Sequence, residues 1–212
     1  MKKVQLIGGV IIMLGVSVLM SVYINHRQAQ MTTEEYIVIE QEEDVPLDGE
    51  IPSEVIAEED LQAYMNERLA LVPQNVLTAM SEDGWQVVLT TENLSERYFQ
   101  GIYSTVNAVT DSTIKTIWIN KTQRAITKST LHEVGHYLDY KFGIINRSDD
   151  FQRVYEAEKD NFKVVGGSAT YARSSSQEYF GEAFQQCILH PESMQTNAPM
   201  TYAFIMALVG QL

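Results

Sequence analysis

The sequence predicts an α+β fold in which a small mixed sheet is followed by one long helix carrying paired histidines, all preceded by a single N-terminal transmembrane helix. Three observations predict it. Val4 to Ile24 is a run of 21 residues without a charge. Short β-rich runs separated by turn residues lie between Trp85 and Asn120. From Thr122 onward, helical periodicity replaces strand-like patterning.

At about 1.5 Å per residue the first segment spans about 31 Å as a helix, enough for a bilayer core. Lys2 and Lys3 precede it and acid-rich sequence follows Arg27, so the positive-inside rule places the bulk of the chain outside the cytoplasm. No A-x-A cleavage pattern surrounds Ala29, so residues 1–27 read as a retained signal anchor, with secretion after signal cleavage as the alternative. Residues 28–60 read as an acidic juxtamembrane linker. Met31 to Asp60 holds twelve Asp or Glu and no Lys or Arg, with Pro46, Pro52 and a short alternating patch at Tyr36-Ile37-Val38-Ile39. Such a charge run is expected to be solvated, with a regulatory role as a second possibility. Residues 61–212 carry sixteen acids against twelve bases and form the folded domain. No basic face exists to neutralise phosphates, which excludes nucleic acid as a partner.

Within the domain, Leu61, Met65, Leu69 and Leu71 predict a first helix and Pro73 to Leu77 a second, ending before Asp83-Gly84. Trp85 to Thr90 reads as a strand. Ile102 to Val109 and Thr113 to Asn120 read as antiparallel strands separated by Thr110-Asp111-Ser112. A helix from about Thr122 to Phe142 stops at Gly143, and Leu131, Gly135, Leu138 and Phe142 share one of its faces. Ser148 opens a helix bearing Phe151, Val154, Tyr155 and Glu158. After a loop at Gly166-Gly167-Ser168, Ser174 or Ser175 opens another, bearing Phe180, Phe184, Cys187 and Ile188. A final helix from Met200 to about Val209 is apolar nearly all round and is expected to be buried.

The chemistry is expected at His132-Glu133-Val134-Gly135-His136. Residues four apart on a helix lie one turn above each other, so both imidazoles can reach one ion, with Glu133 beside them. Of three histidines beyond residue 60, two fall at this spacing in a segment predicted helical on other grounds, which argues against chance. Cys187 is the only cysteine, so a cysteine-ligated metal is excluded and the cysteine itself reads as a small core residue. Hydrolytic zinc needs a third protein ligand and an open position. Phe142 stands where a third histidine six residues on would be. Glu178 and Glu182, one turn apart, are equal candidates, with His190 behind them. A capping box with Ser175 would occupy Glu178, whereas one between Ser174 and Gln177 would free it.

At these residues the chain resembles the catalytic domain of anthrax lethal factor and the bacterial Pro-Pro endopeptidases. The similarity covers most of residues 61–212. It is carried by the HEVGH helix, by Tyr171 to Phe184, and by Asn197-Ala198-Pro199 followed by Thr201, Tyr202, Phe204 and Ile205. The resemblance implies a zincin-like, gluzincin-type metallopeptidase domain binding one Zn2+ through His132, His136 and Glu178, with Glu182 orienting a histidine. It also implies Glu133 as general base and Tyr171, seven residues before Glu178, as a catalytic aid. Asp139 is either a partner behind the ligands or a surface acid. The expected activity is that of an extracytoplasmic zinc endopeptidase at the bacterial cell membrane, acting on protein or peptide substrates such as surface or secreted proteins. A zinc-binding surface module without turnover is the alternative. By analogy with zinc peptidases, an extended substrate is expected along an exposed sheet edge, Ile102 to Val109, with Trp118 as core or subsite wall.

Overall fold

The structure, a computed structural model, describes residues 37–41 and 55–212. The predicted transmembrane helix and the rest of the acidic linker lie outside the described residues. Among the described residues no helix is long and apolar enough to cross a membrane.

Four strands, β1 (Ile37–Gln41), β2 (Gln86–Thr90), β3 (Val106–Asp111) and β4 (Thr116–Asn120), form one sheet in the order β1-β3-β4-β2. β2 runs parallel to β4, and β3 is antiparallel to both β4 and β1, so the sheet is mixed as expected. The β3 and β4 boundaries differ from the sequence reading: Thr110 and Asp111 belong to β3, and the turn runs over residues 112–115. The cause is local. Asp111 Oδ1 accepts from the Thr113 amide at 3.0 Å and Lys115 takes a left-handed φ of 52°, so backbone groups that a ladder would use are turned aside.

Side-chain alternation gives the sheet two different faces. Ala108, Ile117 and Ile119 enter the main core. Val109 and Trp118 point the other way, into a smaller cluster with Leu94, Val106, Tyr98, Phe99 and Tyr103 beneath α3 (Leu94–Phe99). Trp118 is therefore no subsite wall beside the paired histidines: it stands on the far face, half-buried, with the Arg97 guanidinium 4.5 Å above its ring.

On the inner face lies α4 (Gln123–Phe142), begun by Thr122, whose hydroxyl accepts from the Ala125 amide, and ended by Gly143 at φ 61°. α1 (Leu61–Leu69) packs on one flank, and α2 (Gln74–Glu82) precedes β2. After the short α5 (Ile144–Arg147) come α6 (Asp149–Glu158), α7 (Ala169–Ala172), α8 (Ser176–Leu189), α9 (Pro191–Asn197) and α10 (Pro199–Val209). α8 packs along α4 on the side away from the sheet. Phe151, Phe162, Tyr179 and Phe180 fill the space behind it, each fully buried and each contributing about 1.5–3 kcal/mol by area. α10 departs from expectation. Its Thr201, Ile205, Leu208 and Val209 are buried, while Met200, Ala203 and Ala207 face solvent. Its N-terminus has no side-chain cap of its own; buried Glu158 of α6 accepts from the Met200 and Thr201 amides at 2.9 and 2.8 Å, supplying the negative charge a helix start favours.

Candidate metal centre

The site is assembled where α4 and α8 come closest. A Cβ on Gly135 would sit 2.9 Å from Gly181 Cα and 3.0 Å from Phe184 Cβ, so only glycine at position 135 allows this approach. A Cβ on Gly181 would sit 2.8 Å from His136 Cε1 and 2.9 Å from Nε2 of both histidines. The two glycines leave a cradle in which the imidazoles can lie against the α8 backbone.

His132 Nε2 is 2.8 Å from His136 Nε2 and 3.2 Å from Glu178 Oε2, and His136 Nε2 is 3.7 Å from that same oxygen. Four ligands at about 2.0–2.1 Å from a tetrahedral ion stand about 3.3 Å apart. The three observed separations bracket that value, so His132, His136 and Glu178 fit a single zinc ion by spacing and by donor chemistry. Among the described residues no other group of three or more His, Cys, Asp or Glu side chains converges this way.

Burial sharpens the electrostatics. His132, Glu133 and His136 have no exposed surface, and Glu178 and Glu182 retain only 9% and 8%. Burial, with His132 alongside, pushes the His136 imidazolium down to about 4, so the ring is neutral at physiological pH, the form that ligates a metal. Burial alone would raise the Glu178 carboxyl, but hydrogen bonds with His132 and His136 outweigh it and hold the group at about 2. Glu182 shows the same contest, won by its contact with His132 and by Gln186. Both glutamates thus stay anionic although buried.

Their roles differ in geometry. Glu178 faces the Nε2 side of the histidines, whereas Glu182 Oε2 lies 3.6 Å from His132 Nδ1, the opposite edge of the ring. Glu182 Oε1 accepts from Gln186 Nε2 at 2.9 Å, and Gln186 in turn bonds both the amide and the carbonyl of Val165. Ser175, not Ser174, caps α8, accepting from the Glu178 amide, yet the Glu178 carboxylate turns away from the cap toward the imidazoles. His190 ends α8 outside the cluster. Asp139 is buried and accepts from the Ile145 amide at 2.9 Å, securing the turn into α5. Tyr171, half-buried on α7, has its ring 6.3 Å from that of His132. Cys187 is buried, which pushes its thiol up to about 12 and leaves it unreactive.

Two participants escaped the sequence reading. Thr110 donates its hydroxyl to Glu133 Oε2. Strand alternation from Ala108 would have turned Thr110 toward α4, had the segment been read as strand rather than turn. Gln186, one turn after Glu182, carried the i, i+4 signal for its contact.

The sequence profile of the family described as anthrax toxin lethal factor, N- and C-terminal domain, matches residues 39–208. Among solved structures, the Pro-Pro endopeptidase from Paenibacillus alvei matches with a TM-score of 0.55 and 20% identity, over 74% of this chain and 95% of that chain. No curated protein sequence matches. The profile spans the sheet and both helices that build the site: the chain belongs to the anthrax toxin lethal factor family of metallopeptidases, related to the Pro-Pro endopeptidases.

Proposed function

We propose that the chain is a zinc-dependent endopeptidase held at the outer face of a bacterial cell membrane by its N-terminal helix, with protein or peptide substrates. The observation that carries this reading is the convergence of His132 Nε2, His136 Nε2 and Glu178 Oε2 on one point, with Glu133 on the same helix. A zinc ion held by those three atoms supplies Lewis acidity toward the scissile carbonyl and toward the attacking water.

The chain's own groups do the rest. Glu133, steadied at Oε2 by Thr110, takes the proton of the water on its other carboxylate oxygen and delivers it to the departing amine. Glu182 Oε2, 3.6 Å from His132 Nδ1, favours the tautomer with its proton on Nδ1, which leaves Nε2 as a ligand. Tyr171, its ring 6.3 Å from that of His132, donates its hydroxyl to the oxyanion as it forms, a donor that counts most in the transition state.

Glu133→Ala is the decisive variant. It keeps one zinc per chain in metal analysis and loses cleavage of a peptide library that includes Pro-Pro bonds, by at least about 100-fold. Retained cleavage removes Glu133 as base, whereas zinc binding with no cleavage by the parent chain points to the surface-module alternative. Protease added to intact cells should digest the domain; protection until lysis would place it on the cytoplasmic side.

A further inference from the structure

Of the edge expected for substrate, Ile102 to Val109, the structure makes strand only from Val106 onward, and that part is not free. β3 pairs with β4 on one side and with β1 on the other, and β1 comes from the acidic segment read as linker. The pairing is antiparallel, with Val38 opposite Thr110 and Ile39 opposite Val109. Thr110 is the residue whose hydroxyl meets Glu133, so β1 runs past the point on β3 nearest the proposed base.

A strand edge has one row of amide and carbonyl groups, and two strands cannot pair with it together. An extended peptide adding itself to β3 beside Glu133 therefore needs the positions that β1 holds. The β1 contact lies at the edge of the sheet and is made by backbone pairing, which another extended chain can replace. It covers five residues, and its register shifts at a bulge between Glu40 and Gln41. Ile37, Val38 and Ile39 are β-branched and favour the extended backbone, which lets the segment compete without a fold of its own.

We propose that β1 is an intramolecular occupant of the substrate-pairing edge, an inhibitory strand that an extended substrate peptide must displace from β3. The proposal rests on the peptidase reading and adds a regulator to it. The competition is arithmetic: an edge free only a fraction of the time raises the apparent KM by the inverse of that fraction and leaves kcat alone.

The test uses the full chain in detergent, loaded with zinc, and a quenched fluorescent peptide chosen from a random library by that chain. The variant is Val38→Pro with Ile39→Pro. Successive amides point to opposite sides of a strand, so one of the two prolines removes a donor facing β3 whichever residue supplies it. If β1 is docked about nine-tenths of the time, the variant lowers KM about tenfold at unchanged kcat. Amide exchange over residues 106–111 should then rise in the variant and fall again when a synthetic peptide of residues 34–43 is added, and that peptide should inhibit the variant competitively. Cleavage at an unchanged KM, with no inhibition by the peptide, overturns the inhibitory strand and leaves the peptidase reading standing. Zinc-loaded forms that cleave nothing in the library overturn both.

Discussion

α4 meets α8 across Gly135 and Gly181, whereas β1 meets β3 along a five-residue ladder broken by a bulge, and the two contacts differ in what they can give. At the helix contact the obstructing atoms are the Gly181 backbone, the Phe184 Cβ and the ring atoms of two buried histidines. None can swing aside, so any added atom must shift a helix or an imidazole. At the strand contact the join is made through backbone groups that any extended peptide also carries. The comparison separates two jobs: ligand atoms are held by an interior that does not yield, while the edge beside them is held by a pairing that another chain can replace.

The rigid side should fail in proportion to how directly a change touches the imidazoles. Glu178→Gln removes the anionic oxygen facing both Nε2 atoms, and zinc affinity measured against a chelating dye should fall by more than about 100-fold, beyond the effect of losing a group behind the ligands. Glu182→Gln alters the Nδ1 edge of His132 and the bond from Gln186 but no ligand atom, and a loss of about 10–100-fold is expected. The reverse order would exchange their roles. Gly181→Ala places its methyl carbon against both rings and should cost about 1–3 kcal/mol of stability in denaturant unfolding, with zinc affinity lowered about tenfold. An unchanged affinity would mean that the helices can separate, and the contrast with β1 would lose its force.

How far the sequence could be read follows from how local each signal is. The caps at Thr122, Ser148 and Ser175 and the stop at Gly143 depend on a few neighbouring residues, and the helices begin and end where those residues stand. The pairing of His132 with His136 was legible for the same reason, since one helical turn fixes it. Glu178 and Glu182 were not separable by spacing, because both are buried on α8 and only the docking of α8 against α4 decides which faces Nε2. α10 looked apolar all round, and its solvent-facing side is set by which neighbours reach it. β1 was the least accessible of all. Its residues announce an extended preference, but nothing near residue 37 names β3, some seventy residues later, as partner. The Thr110 contact was lost with the strand boundary, because the Asp111 turn that displaces it is a side-chain effect written one residue further on.

Thr110 sits where the two contacts meet, on the strand that β1 covers and against the glutamate of the helix that does not move. Thr110→Val keeps the shape and the β-branching, so the pairing with β1 and β4 should persist, but Glu133 Oε2 loses its donor. Hydrogen bonds to a charged group are worth about 1.5–3 kcal/mol, and part of that is recovered if water or a rotation of Glu133 replaces the lost donor. The expected outcome is a kcat lower by about tenfold, with zinc content unchanged and KM within about twofold of the parent. A rise in KM of the same size with kcat intact would instead assign Thr110 to the strand edge alone, and the proton-handling glutamate would then be positioned by α4 without help from the sheet.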